Sequence, residues 1–218
     1  MKLFKKSFVL RIGNDEELTK TIDINTNQCK TIEDFKKKVS EDFRIDEKLF
    51  SFENPPKKDF KDVENNRKFI INMKNPSTTI NFLLPDASTI FPVENNDKLT
   101  LKDIKNSLKE AKICYTSQCI DQNFNFFLFG IKIPYKDSKK LPNLPPEIKY
   151  EIKLTGECVS LQCYNKLLTF SENAPFKEVS SFIKEKFDCN INDITVKILR
   201  NEPSRFYLKS ADNLKPGD

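Results

Sequence analysis

The chain has 218 residues, 38% of them apolar, with 37 Lys and Arg against 32 Asp and Glu for a formal net charge of +5. This composition excludes a membrane-embedded or disordered chain and suits one large globular domain or two to three small ones. Acids and bases are mixed along the sequence, which argues against a dedicated nucleic-acid binder, whose basic residues gather on one face.

In chain order, Phe8-Val-Leu-Arg-Ile12 and Leu18-Thr-Lys-Thr-Ile-Asp-Ile24 read as two strands joined by the turn-rich segment 13–17. In the second, Leu18, Ile22 and Ile24 share one face, interrupted only by Lys20. Thr31-Ile-Glu-Asp-Phe35 then opens a helix: Thr31 and Asp34 are spaced as a capping box, and Ile32, Phe35, Val39 and Phe43 form an apolar stripe. Lys48-Leu-Phe-Ser-Phe52 and Lys68-Phe-Ile-Ile-Asn-Met73 follow as strands.

The same order recurs. Strands over 79–84 and 89–93 precede a helix opened by Thr100-Leu-Lys-Asp-Ile104, with Leu101, Ile104, Leu108 and Ala111 as its stripe. Strands over 124–129 and 149–154 complete that unit. Next come a strand over 158–164, a tight Asn165-Lys166 turn, a strand over 167–170 and a helix opened by Pro175. Its stripe is Phe176, Val179, Ile183 and Phe187, and a strand over 194–199 and a short run over 205–208 follow. The helix starts lie 69 and 75 residues apart, a spacing of small domains rather than of solenoid repeats. Ile32, Phe35, Val39, Leu101, Ile104, Leu108, Val179, Ile183 and Phe187 are expected to be buried.

At these residues the chain resembles ubiquitin and its relatives. Thr31-Ile-Glu-Asp-Phe-Lys-Lys-Lys-Val39 is similar to the ubiquitin helix opening, and Phe127-Leu-Phe-Gly-Ile-Lys-Ile133 to the strand and turn after that helix. The resemblance implies an α+β chain of three tandem ubiquitin-like β-grasp domains, 1–75, 76–155 and 156–218, each a mixed sheet packed on one helix. It implies a non-catalytic protein-interaction scaffold or adaptor, alone or as the front part of a larger protein. Fold does not select function, so two other readings stay open: an RNA- or phosphate-binding module, and a non-catalytic domain that positions an enzyme of the ubiquitin system. A conjugated modifier is not expected, because Asn213-Leu-Lys-Pro-Gly-Asp218 lacks a di-glycine tail. In many such domains a segment like 214–218 leads into the closing strand. The third unit is therefore expected either to close with Phe206-Tyr207-Leu208 or to continue beyond Asp218.

Catalytic chemistry is missing from the pattern. The chain has no histidine, which removes Ser–His and Cys–His pairs, and its four glycines never cluster into a phosphate loop. No catalytic residue and no cofactor are expected. The opening residues lack the apolar run of a signal peptide and no stretch nears a membrane span, so a cytoplasmic protein with free thiols is expected. Cys114 and Cys119 share a spacing with Cys158 and Cys163, but residues five apart on a strand face opposite ways, so no metal site is expected.

Ubiquitin relatives often bind other proteins through the outer face of the sheet. Carried over by position, the resemblance puts Phe50, Ile70 and Leu128 on that face as partner-binding residues, with Phe69 and Ile71 facing the helix. Phe50 or Ile70 packing against the neighbouring unit is the alternative. Lys36, Lys37 and Lys38, extended by Lys5, Lys6, Lys57 and Lys58, form the strongest basic surface, read as a solvated helix face or as a contact for an acidic partner or an RNA backbone. Nucleic acid and membrane are not expected as partners.

Overall fold

The capping box read in the sequence forms. Thr31 Oγ1 accepts from the Asp34 amide at 3.1 Å, and Asp34 Oδ2 accepts from the Thr31 and Lys30 amides at 3.0 Å each. The amides of Thr31 and Lys30 hold the Asp34 carboxyl below the usual carboxylate range. In this computed structural model the described residues are 4–56, 59–96, 99–111, 113–134, 136–156, 158–163, 166–171, 174, 176–187 and 197–200; the side chains at 159–167, 176, 177, 180, 187 and 197–200 stand outside the description.

Strands β1 (Lys5–Ile12) and β2 (Thr19–Asn25) pair antiparallel with Phe8 opposite Ile22, and the capped helix α1 (Ile32–Phe43) follows. Arg44, left-handed at φ 57°, ends the helix by donating its amide to Ser40 O. After a 3-10 turn over Glu47–Leu49 come β3 (Phe50–Glu53) and β4 (Lys68–Met73). The sheet order is β2-β1-β4-β3, with β1 and β4 parallel and the other pairs antiparallel.

Its core is a phenylalanine cluster. The ring of Phe35 on α1 lies 4.7 Å from Phe60, 5.0 Å from Phe69, 5.4 Å from Phe52 and 5.6 Å from Phe8. The Lys20 that interrupts the apolar face of β2 is accommodated by its length. Its ammonium reaches Asp42 on α1 at 2.9 Å and lies 5.1 Å from the centre of the Phe43 ring.

The second sheet contains β5 (Thr79–Leu83), β6 (Ile90–Glu94), β7 (Phe124–Leu128), β8 (Ile131–Lys132) and β9 (Lys149–Leu154) in the order β6-β5-β9-β7-β8. Here β5 and β9 are parallel, while β5–β6 and β7–β8 are antiparallel. Phe82 stacks on Tyr150 at 5.4 Å and meets the edge of Phe126 at 6.0 Å. A two-residue turn with positive φ at Phe129 (53°) and Gly130 (78°) joins β7 to β8.

Between β6 and β7 lie two helices, α2 (Leu101–Glu110) and α3 (Ser117–Asn123). The sequence reading had only the first. Thr116 caps α3 by accepting from the Cys119 amide at 3.2 Å, and the Lys105 ammonium reaches from α2 to Asp121 O at 2.7 Å.

The third sheet is β11-β10-β12, from β10 (Cys158–Cys163), β11 (Lys166–Ser171) and β12 (Lys197–Arg200), with helix α4 (Phe176–Phe187) between β11 and β12. The pairings among these three strands are antiparallel, and an isolated parallel bridge joins Tyr115 to Thr169 on β11. Phe182 on α4 packs edge-on against Phe170 at 5.9 Å. The free edge of β11 is covered by the segment before α3: Thr116 donates to Thr169 O at 3.3 Å, and Thr169 donates to Cys114 O at 3.0 Å.

The architecture is thus α+β, with two mixed sheets, one antiparallel sheet and few helices. The chain divides into two compact units, one of residues 1–100 with 126–152 and the other of 101–125 with 153–218. These bounds are not those of the sequence reading. Phe35, Val39, Leu101, Ile104, Leu108 and Ile183 are buried, whereas Ile32 and Val179 are only half-buried. The side chain of Phe187, the residue Pro175, the turn at Asn165 and the run 205–208 lie outside the described residues, as does the tail 214–218.

Candidate functional site

Two of the three expected partner-binding residues prove to be core. Phe50 is fully buried, with Phe52 edge-on at 5.6 Å and the Lys36 ammonium 5.3 Å from its ring centre. Leu128 is fully buried as well, because β7 turns Phe124, Phe126 and Leu128 inward. The reason is parity. The register places Phe52 opposite Ile71 and Phe50 opposite Met73, so Ser51 and Glu53 take the outer face. A one-residue shift in strand phase exchanges every inward side chain for an outward one.

Ile70 does lie on the outer face. It is half-buried, paired with Arg11 across β1 and with Glu53 across β3. Of the basic run, Lys37 is exposed, Lys36 and Lys38 are half-buried, and Lys57 and Lys58 lie outside the described residues.

Within the compact unit 1–100 with 126–152, the first and second sheets meet through side chains the sequence did not single out. Phe43 on α1 stacks on Phe129 with ring centres 4.6 Å apart and planes 4° from parallel. Phe129 sits in the left-handed region, a conformation that costs a non-glycine residue about 1 kcal/mol, and the stack holds it there. Nearby, the Lys139 ammonium is 2.7 Å from both Asp15 Oδ1 and Glu17 Oε2, and Lys136 is 2.6 Å from Glu17 Oε1. Hydrogen bonds from Lys136 and Lys139 pull the Glu17 carboxyl down to about 2. Burial opposes the charge on Lys139, but its bonds to Asp15 and Glu17 outweigh burial and hold its ammonium above the usual range.

The same unit holds a cleft of about 430 Å³. Its apolar lining is Leu99, Leu141, Met73 and Pro76, with the fully buried Ile12 and Ile71 beneath them. Its rim carries the exposed asparagines Asn14, Asn72, Asn96 and Asn143, with Lys140 beside them. Lys140 is the one charged residue among the described residues of the lining.

The walls are tied down. Gly13 donates to Ile71 O at 2.8 Å, Tyr150 Oη donates to Pro142 O at 2.8 Å, and Asn95 Nδ2 donates to Asn143 Oδ1 at 2.6 Å. Burial pushes the Tyr150 phenol well above its ordinary range and so keeps it a donor. Gly13 needs no side chain here: its φ is +55°, and nothing lies within 4 Å of where a Cβ would stand. Chain order hid this site, because it is built from four separated places: 12–14, 71–73 with Pro76, Asn96 with Leu99, and 140–143.

Among the described residues no group of three or more His, Cys, Asp or Glu is placed to hold a metal. The Cys119 thiol on α3 meets Cys158 at the start of β10 rather than Cys114. Burial and then that neighbour push the Cys119 thiol far up, and burial raises Cys29 to about 11. No helix among the described residues is long and apolar enough to cross a membrane. No protein-family model and no curated protein matches this chain.

Proposed function

We propose that this protein is a non-catalytic protein-interaction scaffold built from tandem ubiquitin-like β-grasp units. The observation that carries the reading is a strand order found twice. In each of the first two sheets the first and last strands of the segment lie parallel and central, the second strand flanks the first, and helix separates the second strand from the third. A central parallel pair needs a long crossover, which the intervening helix and strand supply. The third segment supports the reading less directly. With β12 paired to β10, the slot beside the first strand is filled by the strand that follows the helix.

Repeated units of this kind present several sheet faces to partners, which suits multivalent binding. On the first sheet the outer face around Ile70 mixes apolar Val9 and Ile70 with Arg11 and Glu53, a composition typical of protein contact surfaces.

Retention of partners from a cell lysate on the immobilised chain, with and without nuclease, tests this. Proteins retained after nuclease but lost with Ile70→Glu, at unchanged circular dichroism, support the reading. Retention abolished by nuclease moves the function to RNA binding. Retention no greater than on a blank support removes the scaffold role.

A further inference from the structure

We propose that the cleft between the first and second sheets binds the carboxyl-terminal end of a partner polypeptide, a short extended segment finishing in aliphatic side chains and a free carboxylate. The proposal rests on the protein-interaction reading and names the chemistry of one contact. Three features of the cleft select that ligand.

The first is the floor. Leu99, Leu141, Met73 and Pro76 supply its apolar surface over the buried Ile12 and Ile71, and no aromatic ring lines the cleft among the described residues, so nothing there offers a stacking surface to a nucleobase. A branched aliphatic side chain is the complement of such a floor. The second is the rim. Asn14 and Asn72 are exposed and have no hydrogen-bond partner among the described residues, and Asn143 engages only its oxygen, leaving its NH2 available. A side-chain amide offers both a donor and an acceptor, the pair a peptide group presents in return.

The third is charge. Lys140 is exposed and faces no carboxylate among the described residues of the lining, while of the three acids that follow Gly13, Asp15 and Glu17 are taken by Lys136 and Lys139 and Glu16 lies 3.7 Å from Arg11. Among the described residues this is one unopposed ammonium beside neutral amides, which favours a ligand with one negative charge. A volume of about 430 Å³ lies at the small end of ligand cavities and holds a di- or tripeptide rather than a folded surface. Because both walls are hydrogen-bonded in place, binding needs little ordering of the protein.

The test uses the whole chain, labelled with nitrogen-15, titrated with N-acetyl-leucyl-valine and separately with its carboxyl-terminal amide. The acid should shift the side-chain NH2 signals of Asn14, Asn72 and Asn143, and the amide should bind about two- to five-fold more weakly, the scale of one exposed ion pair. Lys140→Met should erase the difference between the two probes while leaving the rest of the spectrum in place. Equal binding of acid and amide, shifts centred on other residues, or no shift up to ~20 mM would overturn the proposal. Failure here with lysate partners still lost on Ile70→Glu would reject the cleft and leave the scaffold reading standing. Peptide binding without any retained partner would do the reverse.

Discussion

Replacing Phe35 by Ala removes the ring on which the first sheet and its helix close. Phe35 is fully buried, and four other phenylalanine rings lie with centres between 4.7 and 5.6 Å of its own. Withdrawing a buried ring costs about 2–3 kcal/mol in lost transfer free energy. A residual cavity of roughly 70 Å³ adds about 1.7 kcal/mol at ~24 cal/mol per Å³. The sum, about 4–5 kcal/mol, falls at the top of the range for Phe→Ala in cores, and relaxation of β3, an edge strand, brings it toward about 3–4.

With a urea slope of roughly 1.5–2 kcal/mol per M, the midpoint for the first sheet should fall by about 2 M. Hydrogen exchange of the β1 and β4 amides as a function of urea reads that sheet without averaging over the rest of the chain. Lys37→Ala, on the exposed side of the same helix, is the control and should change stability by less than about 0.5 kcal/mol. A Phe35→Ala midpoint within ~0.3 M of the parent would refute the claim that this ring organises the core.

Other outcomes follow from single contacts. Glu17 is held at about 2 against an ordinary value of 4.5, so the stability it contributes is complete above about pH 4.5 and is lost as pH falls through 2. Glu17→Gln should flatten the acid limb of the stability curve in that window, and an unchanged limb would show that the cluster with Lys136 and Lys139 does not form in solution. Thr31→Ala removes one arm of the capping box and should cost about 1 kcal/mol, whereas Thr31→Ser should cost little. Iodoacetamide at pH 8 should leave Cys119 unmodified in the native protein and alkylate it in urea; prompt native labelling, located by peptide mass, would contradict its burial.

The local elements were legible in the sequence because short-range rules govern them. β4 and β9 occupy the residues their alternation predicted, and α1 begins at the Thr31 box because two backbone amides find side-chain acceptors there. The α+β class also followed, since alternating runs around amphipathic helices admit few other layerings.

What the sequence could not decide was absolute. Alternation tells which residues share a face, not which face is buried. In Phe50-Ser-Phe52 and Phe124-Asn-Phe-Phe-Leu128 the resemblance to ubiquitin chose the wrong phase for Phe50 and Leu128, and pairing with the neighbouring strands decided it. The helix over Ser117–Asn123 carries a short, polar sequence with little apolar period, and only its Thr116 cap could have signalled it. The cleft was beyond sequence altogether. Its residues come from segments up to about 130 positions apart, and proximity of that kind is a product of tertiary packing. The stack of Phe43 on Phe129 and the lysine–carboxylate cluster came from the same source, because long-range contacts leave no local periodicity to read.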